Sequence, residues 1–338
     1  MSAVLEIRGL DLAIGEHEAR RAILAGVGLT CERGEVVGLV GESGSGKSMT
    51  LRTVLGLTPR GAQVAGSVVV DGTDVLAAAP EQLREIRRRK VAMIFQDPRA
   101  HINPSRRIGD FLTEGMLRNG VGKDAARERA VELLRAVGLD RAEQHLRQYP
   151  HELSGGMLQR VMIASALACE PEILLADEPT TALDVTTQAE IMAILRRLRD
   201  ERGLTVLLVT HDLELAAAVC DRISVMYAGT IVEQQPAAAL FADPRHPYTA
   251  GLLASSPRRV AAGERLAAIP GRPLGLHEAP EGCVFRGRCA HARDVCATRR
   301  PPLEPAGEGV SACLRQHELG TLLPASAKAE EVSHGIGR

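Results

Sequence analysis

Short, fully apolar runs alternate along the chain with longer stretches of helical periodicity, from the first residues to about residue 255. Runs with the length and β-branched content of buried strands occupy residues 36–40, 91–95, 173–176 and 205–209. Segments such as 125–137 and 188–202 instead repeat apolar residues at the spacing of an amphipathic helix. Strands that are apolar on both faces and alternate with helices predict an α/β fold, with a largely parallel sheet covered on both sides.

Two segments interrupt this alternation and divide the chain. Residues from about 97 to 155 have no strong strand pattern, are mostly helical and rich in arginine, and are predicted to form an inserted helical subdomain. Beyond residue 241 prolines become frequent, and four of the seven cysteines occur there. We therefore predict a sheet domain over residues 1–255 and a small, loop-rich extension over 256–338. The end of this extension, from residue 326 onward, has little to bury and is expected to be disordered.

The composition narrows the possible partners. The chain has 338 residues, with 41 Lys plus Arg against 42 Asp plus Glu, and a net charge of −1. No overall positive field exists to hold nucleic acid by charge alone, and an aromatic content of 2% argues against base-stacking surfaces. No apolar run approaches the roughly 18 residues of a membrane span, and the N-terminus has no secretory pattern. We expect a cytoplasmic protein that binds no nucleic acid and reaches a membrane only through a partner.

A glycine-rich phosphate-binding motif follows the run at 36–40. Residues 41–48 read Gly-Glu-Ser-Gly-Ser-Gly-Lys-Ser and precede a helical segment. Glycines allow successive backbone N–H groups to point at an anion, and the helix N-terminus adds a partial positive charge. Lys47 is expected to reach the β- and γ-phosphates of a nucleotide, and Ser48 to ligate Mg²⁺. The predicted nucleotide-binding residues of this segment are Gly41, Ser43, Gly44, Ser45, Gly46, Lys47, Ser48 and Thr50.

A pair of acidic residues, Asp177 and Glu178, ends the apolar run at 173–176. Asp177 is expected to hold Mg²⁺, directly or through water. Glu178 lies one residue further out, where it can accept a proton from an attacking water. Two acids at a strand end are weak evidence by themselves, but they become informative when a phosphate loop precedes them in the chain.

A second glycine-containing helix N-terminus lies at residues 153–160, which read Leu-Ser-Gly-Gly-Met-Leu-Gln-Arg. Ser154 has the chemistry of an N-cap, and Gly155 and Gly156 leave room for backbone N–H groups to approach an anion. One chain does not need two phosphate-binding helix ends for one nucleotide. A dimer with its nucleotide sandwiched between opposed surfaces does, so we predict that this segment completes the site of a partner.

In chain order these motifs resemble those of the ATP-binding-cassette ATPases, a P-loop NTPase family with a RecA-like parallel sheet core and a helical subdomain. The resemblance covers residues 1 to about 250. It implies that Gln96 senses Mg²⁺ and the lytic water, that Glu178 is the catalytic base, and that His211 contacts the γ-phosphate. It also implies that Asp184 crosses a dimer interface and that a signature sequence faces the ATP of the opposite cassette. The signature residues are Leu153, Ser154, Gly155, Gly156, Met157 and Gln159.

Residues 177–186, 225–229 and 246–253, with the cysteine-containing tail, resemble the oligopeptide/dipeptide importer members of that family. This resemblance implies a peripheral subunit at the cytoplasmic face of the bacterial inner membrane. Its implied partners are two membrane permeases, a second and usually non-identical cassette, and indirectly an extracytoplasmic substrate-binding protein. Residues 97–104 are the candidate contact for a permease. Import of nickel, glutathione or another small solute stays an alternative, as does a non-transport ATPase of the same fold.

The residue that stacks on adenine departs from the family pattern. Family cassettes usually place an aromatic residue shortly before the phosphate loop, but residues 16–22 contain none. Arg21 lies near that position and is a candidate because its guanidinium plane can stack on a base. His17 is the alternative.

Four cysteines of the extension, Cys283, Cys289, Cys296 and Cys313, form the pattern C-x5-C-x6-C-x16-C. A reducing compartment disfavours disulfides, and a metal centre can give a loop-rich segment fixed structure. Zinc usually binds closer cysteine pairs, whereas a 4Fe–4S cluster tolerates wider spacing. The resemblance implies an iron–sulfur centre in at least some members. We therefore expect a 4Fe–4S cluster, with zinc and unliganded cysteines as the alternatives.

Overall fold

The computed structural model describes residues 3–16, 20–181, 183–256 and 268–319. The strands are β1 Ala3–Ile14, β2 Arg21–Glu32, β3 Val36–Val40, β4 Gln63–Val70, β5 Thr73–Asp74, β6 Val91–Ile94, β7 Ile173–Asp177, β8 Thr205–Thr210, β9 Arg222–Tyr227, β10 Thr230–Pro236, β11 Glu304–Ala306 and β12 Gly309–Ser311. The α-helices are α1 Lys47–Val54, α2 Pro80–Glu85, α3 Pro98–His101, α4 Ile108–Arg118, α5 Lys123–Ala136, α6 Ala142–Arg147, α7 Gly155–Leu167, α8 Val185–Arg202, α9 Leu213–Val219, α10 Ala237–Ala242, α11 Pro247–Ala254 and α12 Val295–Thr298. Single 3₁₀ turns cover Pro150–Glu152, Leu276–Glu278 and Arg286–Arg288, and a π-turn covers Ile86–Lys90.

An eight-stranded sheet forms the centre of the molecule, in the strand order β11-β12-β10-β9-β3-β8-β7-β6. The five strands from β9 to β6 are parallel, which confirms the predicted α/β fold. Every residue of β3 is buried, but alternate residues pack into two different hydrophobic clusters. Val36 and Val40 join one cluster, and Val37 and Leu39 join the other, so both faces of the sheet are covered.

A second, antiparallel sheet with the strand order β2-β1-β4-β5 was not predicted. Its buried residues, which include Leu5 and Ile7, share a cluster with Val37 and Leu39, so this sheet packs against one face of the central sheet. The pairing of β1 with β2 contains several register shifts, for example between Ile7 and Leu10. Such irregularities break the alternation of apolar and polar residues by which a half-buried strand is recognised.

The segment predicted to be helical contains α3, α4, α5 and α6 and has no strand between residues 97 and 154, all of which the structure describes. Its buried residues include Leu112 and Leu134, which join the same cluster as Val36. The helical character is thus confirmed, while the boundaries of the subdomain stay a prediction. None of the helices in the described residues is long and apolar enough to cross a bilayer.

The C-terminal extension is loop-rich, as predicted, but it is not separate from the sheet domain. β12 pairs with β10, placing Glu233 opposite Ser311, and β11 adds a further strand at the edge of the central sheet. Phe285 is buried in the cluster that contains Val36. Strands of three residues carry no periodicity, which is why the sequence pattern did not reveal this pairing. The expected disorder from residue 326 onward lies outside the described residues.

Candidate functional site

The phosphate loop leaves the carboxyl end of β3 and enters α1 at Lys47, as predicted. Gly41 packs so closely on β9 that a Cβ atom there would lie 2.1 Å from the Met226 carbonyl oxygen. Gly46 has a φ of +105°, and a Cβ atom there would lie 2.6 Å from the Leu24 side chain. Both positions therefore require glycine, since the loop lies closely packed between the central sheet and β2.

Lys47 places a buried positive charge under the loop. It is only 4% exposed, and its ammonium donates to the carbonyl oxygens of Gly41 at 2.8 Å and Glu42 at 2.9 Å. Burial lowers the pKa of Lys47, because the charged form loses its hydration. The buried Ser45 hydroxyl has no hydrogen-bond partner among the described residues. A buried cation beside an unpartnered hydroxyl fits an anionic ligand such as a triphosphate.

The other predicted residues of this segment differ in exposure. Ser43 and Gly44 are exposed at the tip of the loop. Thr50 is buried, and its hydroxyl donates to the Gly46 carbonyl oxygen at 3.1 Å. Thr50 therefore supports the loop from within α1, and its contact with a nucleotide stays a prediction.

Ser48, in the first turn of α1, contacts Asp177 at the end of β7. Ser48 Oγ donates to Asp177 Oδ1 at 2.9 Å. Asp177 is the last residue of β7, and burial raises its pKa. A hydroxyl beside a carboxylate supplies the hard oxygen ligands that Mg²⁺ prefers. These two residues therefore fit the predicted ion.

Three side chains contact the same carboxylate oxygen of Glu178. Thr181 Oγ1 donates to Oε2 at 2.7 Å and Gln96 Nε2 donates to it at 3.1 Å. His211 Nδ1 lies 3.2 Å from the same atom. The hydrogen bond from His211, aided by that from Thr181, outweighs burial and lowers the pKa of Glu178 to about 2. The carboxylate is therefore ionised at neutral pH, and its Oε1 atom is the one left to receive a proton.

The backbone of Glu178 is strained in a way that is typical of functional sites. Its φ is +47°, in the left-handed region that non-glycine residues rarely adopt, at a cost on the order of 1–3 kcal/mol. Its N–H donates to the Val209 carbonyl oxygen of β8 at 3.0 Å. This strand pairing holds the turn in place, so the side chain leaves β7 at a defined point.

The signature segment forms the start of α7, as predicted. Ser154 is the N-cap, and its Oγ accepts a hydrogen bond from the Met157 N–H at 3.3 Å. A Cβ atom at Gly155 would have no neighbour within 4 Å, so the helix N-terminus is open on that side. A Cβ atom at Gly156 would lie 3.1 Å from Thr187 Cγ2, so this glycine packs on α8.

Thr187 also connects this segment to Asp184. The Asp184 carboxylate caps α8 by accepting from the Thr187 N–H at 3.0 Å and from its hydroxyl at 2.7 Å, which lowers the pKa of Asp184. Gly156 of the signature segment and Asp184 thus share Thr187 as a neighbour, which the sequence did not predict. Leu153 and Gln159 are buried and belong to the packing of the region rather than to its open face.

Arg21, the candidate for adenine stacking, is the exposed first residue of β2 and lies opposite Ile14. The carbonyl oxygen of Ile23, two residues further, lies 3.5 Å from the position of a Cβ atom on Gly46. Arg21 is thus at the end of β2 that adjoins the phosphate loop, and its stacking stays a prediction. His17 lies outside the described residues.

The four cysteines of the extension line one small pocket, together with His246 and His291. All four are free thiols, and the Cys283 N–H donates to the Cys296 carbonyl oxygen at 2.8 Å. In the part of the chain that the structure describes, however, no three His, Cys, Asp or Glu side chains are spaced to hold a metal ion. The structure brings the predicted residues together without placing them at the spacing of a metal site, so the cluster and the zinc alternative stay predictions.

Two contacts of the site were missed at the level of sequence. Thr181 lies only three residues after Glu178, so a hydrogen bond from its hydroxyl to the acidic pair could have been predicted from the sequence. Glu42, in contrast, is bonded by Tyr248 and Arg288, which lie more than 200 residues away along the chain. No local pattern could have revealed those partners.

These groups follow the carboxyl ends of neighbouring strands of the central sheet, and the same chain carries a second glycine-containing helix N-terminus, that of α7, which is open at Gly155. That arrangement defines the class of ATP-binding cassettes. In agreement, residues 24–181 match the ABC transporter family, and residues 232–296 match the family described as oligopeptide/dipeptide transporter, C-terminal region.

Known proteins similar to this chain extend the assignment. The chain is 41% identical to the oligopeptide transport ATP-binding protein OppD of Salmonella typhimurium, over 94% of this chain and 95% of that protein. It is 45% identical to a probable peptide ABC transporter ATP-binding protein, y4tR, of Sinorhizobium fredii, over 94% and 97% of the two chains. The dimeric post-hydrolysis structure of the ATP-binding cassette MJ0796 with ADP and Pi matches with a TM-score of 0.62 and 32% identity, over 69% of this chain and 98% of that one. The chain belongs to the ABC transporter ATP-binding proteins, in their oligopeptide/dipeptide branch.

Proposed function

We propose that this chain is the ATP-hydrolysing subunit that powers a bacterial peptide importer. The observation that carries the proposal is the convergence of Gln96, Thr181 and His211 on one oxygen of Glu178, next to a phosphate loop. The match of residues 232–296 and the names of the relatives support peptides as the imported solute.

The phosphate loop binds the triphosphate through its backbone N–H groups and through Lys47. The ammonium of Lys47 is already directed at the loop, where it contacts two carbonyl oxygens. Ser48 and Asp177 would hold Mg²⁺, and Gln96, which donates to the adjacent Glu178, would be a further ligand. When bound, the ion neutralises charge on the phosphate oxygens. Arg21 stacks on the adenine by its guanidinium plane.

Glu178 orients the attacking water and accepts its proton on Oε1. A carboxylate with so low a pKa keeps a proton poorly, so the proton moves on to the released phosphate. Gln96 and His211 act by holding the carboxylate in one orientation. Positioning of this kind supplies much of the catalysis in phosphoryl transfer, because the protein has little covalent chemistry to perform.

A second cassette, proposed to be a non-identical relative, completes the site. The N-terminus of α7 is open at Gly155, and a helix N-terminus with free N–H groups attracts anions. The opposed cassette therefore supplies its ATP to this helix end. The related cassette MJ0796 is itself described as dimeric, which supports this arrangement.

Two membrane permeases attach the chain to the cytoplasmic face of the inner membrane, and a binding protein outside delivers peptides to them. Residues 97–104 are the proposed permease contact. Within them, Asp97 caps α3 by accepting from the Arg99 N–H at 2.9 Å, and the His101 ring stacks on Phe95 at 3.9 Å between ring centres. Phe95 precedes Gln96, so a shift of α3 is passed directly to a residue that contacts Glu178.

Substitution of the proposed base tests the function. In the importer assembled with its permeases, Glu178→Gln is expected to retain ATP binding and to lower ATP hydrolysis and peptide uptake by about a hundredfold or more, since the amide accepts no proton. Glu201→Gln makes the same chemical change at an exposed position of α8 and is expected to leave both rates unchanged. Wild-type hydrolysis by Glu178→Gln contradicts the assignment of the base. Normal hydrolysis by the unaltered importer without uptake of any peptide contradicts the assignment of the solute.

We also propose that Cys283, Cys289, Cys296 and Cys313 hold a 4Fe–4S cluster. In support, the four thiols line one pocket. Full-length chain purified without oxygen is expected to contain about four iron atoms, and Cys296→Ser to lose them. Cys169→Ser, outside the extension, is the control and is expected to keep its iron. Stoichiometric zinc or the absence of metal in the unaltered chain contradicts this proposal.

A further inference from the structure

The C-terminal extension touches the phosphate loop through one buried arginine. Arg288 Nη1 donates to Glu42 Oε2 at 2.6 Å, and Nη2 donates to Oε1 at 3.1 Å. Arg288 Nε donates to the Pro270 carbonyl oxygen at 2.8 Å, and the arginine side chain is only 5% exposed. A two-point ion pair of this kind fixes the orientation of the carboxylate as well as its distance.

The backbone of Glu42 is held by Tyr248 of α11, which packs against the extension. The Tyr248 hydroxyl accepts a hydrogen bond from the Glu42 N–H at 2.9 Å. The buried Tyr248 ring packs against Tyr227 at 4.8 Å and against Phe285 of the extension at 5.2 Å between ring centres. The guanidinium carbon of Arg288 lies 5.7 Å from the centre of the Tyr227 ring. Both the main chain and the side chain of Glu42 are therefore anchored to a packed aromatic cluster.

A carboxylate in a phosphate-binding loop is electrostatically unfavourable. The Lys47 ammonium donates to the Glu42 carbonyl oxygen at 2.9 Å, so Glu42 lies next to the cation that is to contact the phosphates. The negative charge of the Glu42 carboxylate opposes a triphosphate bound at the loop. Arg288 supplies the positive charge that compensates Glu42, at hydrogen-bond distance.

We propose that Arg288 is a positioning residue of the ATP site, which neutralises the Glu42 carboxylate and fixes the start of the phosphate loop. The extension thereby takes part in nucleotide binding through a residue that reaches the nucleotide only by way of Glu42. This role depends on the ATP site alone. It does not depend on which solute is imported.

Two measurements test this role: the ATP affinity of the full-length chain by calorimetry, and the KM and kcat of ATP hydrolysis by the assembled importer. Arg288→Gln is expected to raise the Kd and KM for ATP about five- to tenfold, because the uncompensated carboxylate repels the phosphates. The change in kcat is expected to stay below about twofold, since the groups around Glu178 are untouched. The control is Arg272→Gln. Arg272 makes a similar two-point ion pair with Glu278, at 3.0 and 2.7 Å, but it is 68% exposed, and its loss is expected to leave KM unchanged.

Two further measurements separate charge from packing. The double variant Glu42→Gln/Arg288→Gln lacks both charges, and its KM is expected to return to within about twofold of the unaltered chain. The KM of Arg288→Gln alone is expected to fall as the salt concentration rises, because salt screens the uncompensated carboxylate. A role in packing alone produces neither result.

An unchanged KM in Arg288→Gln, or a double variant as impaired as the single one, overturns the proposal. If Arg288→Gln does not fold, Arg288→Lys tests the proposal in its place, because lysine keeps the charge but not the two-point geometry. Its KM is expected to rise by no more than about threefold. A tenfold or larger rise, or failure of this variant to fold as well, shows that Arg288 acts through packing and contradicts the proposal.

Discussion

The Glu178–His211 pair shows how one hydrogen bond sets the charge state of the site. It lowers the pKa of Glu178 to about 2 and raises the pKa of His211. The lowered pKa of Glu178 stabilises the folded chain. This contribution to the free energy of unfolding is complete above the ordinary carboxyl pKa and is lost as the pH falls through about 2. The raised pKa of His211 also stabilises the folded chain. Its contribution is complete below the ordinary imidazole pKa and is lost as the pH rises through the raised pKa of His211. The pair is therefore strongest in weakly acidic solution.

The pH dependence of hydrolysis tests this coupling. His211→Gln removes the imidazole hydrogen bond and the charge that lower the pKa of Glu178, so that pKa moves back toward its ordinary value. The acid limb of the kcat/KM profile is then expected to shift to higher pH, since more acid remains protonated. His317→Gln, an exposed histidine of the extension, is expected to keep the original profile. An acid limb that stays in place after His211→Gln would mean that His211 does not set the ionisation of Glu178.

At the scale of elements, the ends of parallel strands assemble the site. Lys47, Gln96, Glu178 and His211 each follow one of the strands β3, β6, β7 and β8. The carboxyl ends of parallel strands lie along one edge of a sheet, so the meeting of these residues could be predicted from the apolar runs before them. The strand order could not, because the runs are too alike to show which of them pair.

Several strands and one contact could not be predicted from the sequence pattern, each for a physical reason. β1 and β2 were missed because register shifts interrupt their alternation. β11 and β12 were missed because they have only three residues each, and β12 joins the sheet by pairing with β10, far away in the chain. The contact of Gly156 with Thr187 was missed because it joins two helices whose relative placement no periodicity specifies.

At the scale of the whole molecule, the open start of α7 predicts that activity is shared between two cassettes. Ser154→Arg places a large side chain at this helix end, where it blocks the ATP of the opposite cassette. In the assembled importer, vanadate trapping of nucleotide on the partner cassette is expected to fall at least about tenfold, while ATP binding to the altered chain persists. Ser154→Ala removes only the N-cap hydrogen bond to Met157 and is expected to retain most of the trapping. Trapping lost only on the altered chain would contradict a shared site.

The class of fold, the phosphate loop, the acidic pair and the order of motifs along the chain could all be predicted from the sequence. These are local features, set by the apolar character of strands and by short segments whose chemistry is contained within a few residues. The pairing of the extension with the central sheet, and the contact of Arg288 with Glu42, 246 residues earlier in the chain, became visible only in the folded chain. Contacts at such separation depend on how the packed layers place distant segments side by side, and one chain's sequence does not record that placement in any local pattern.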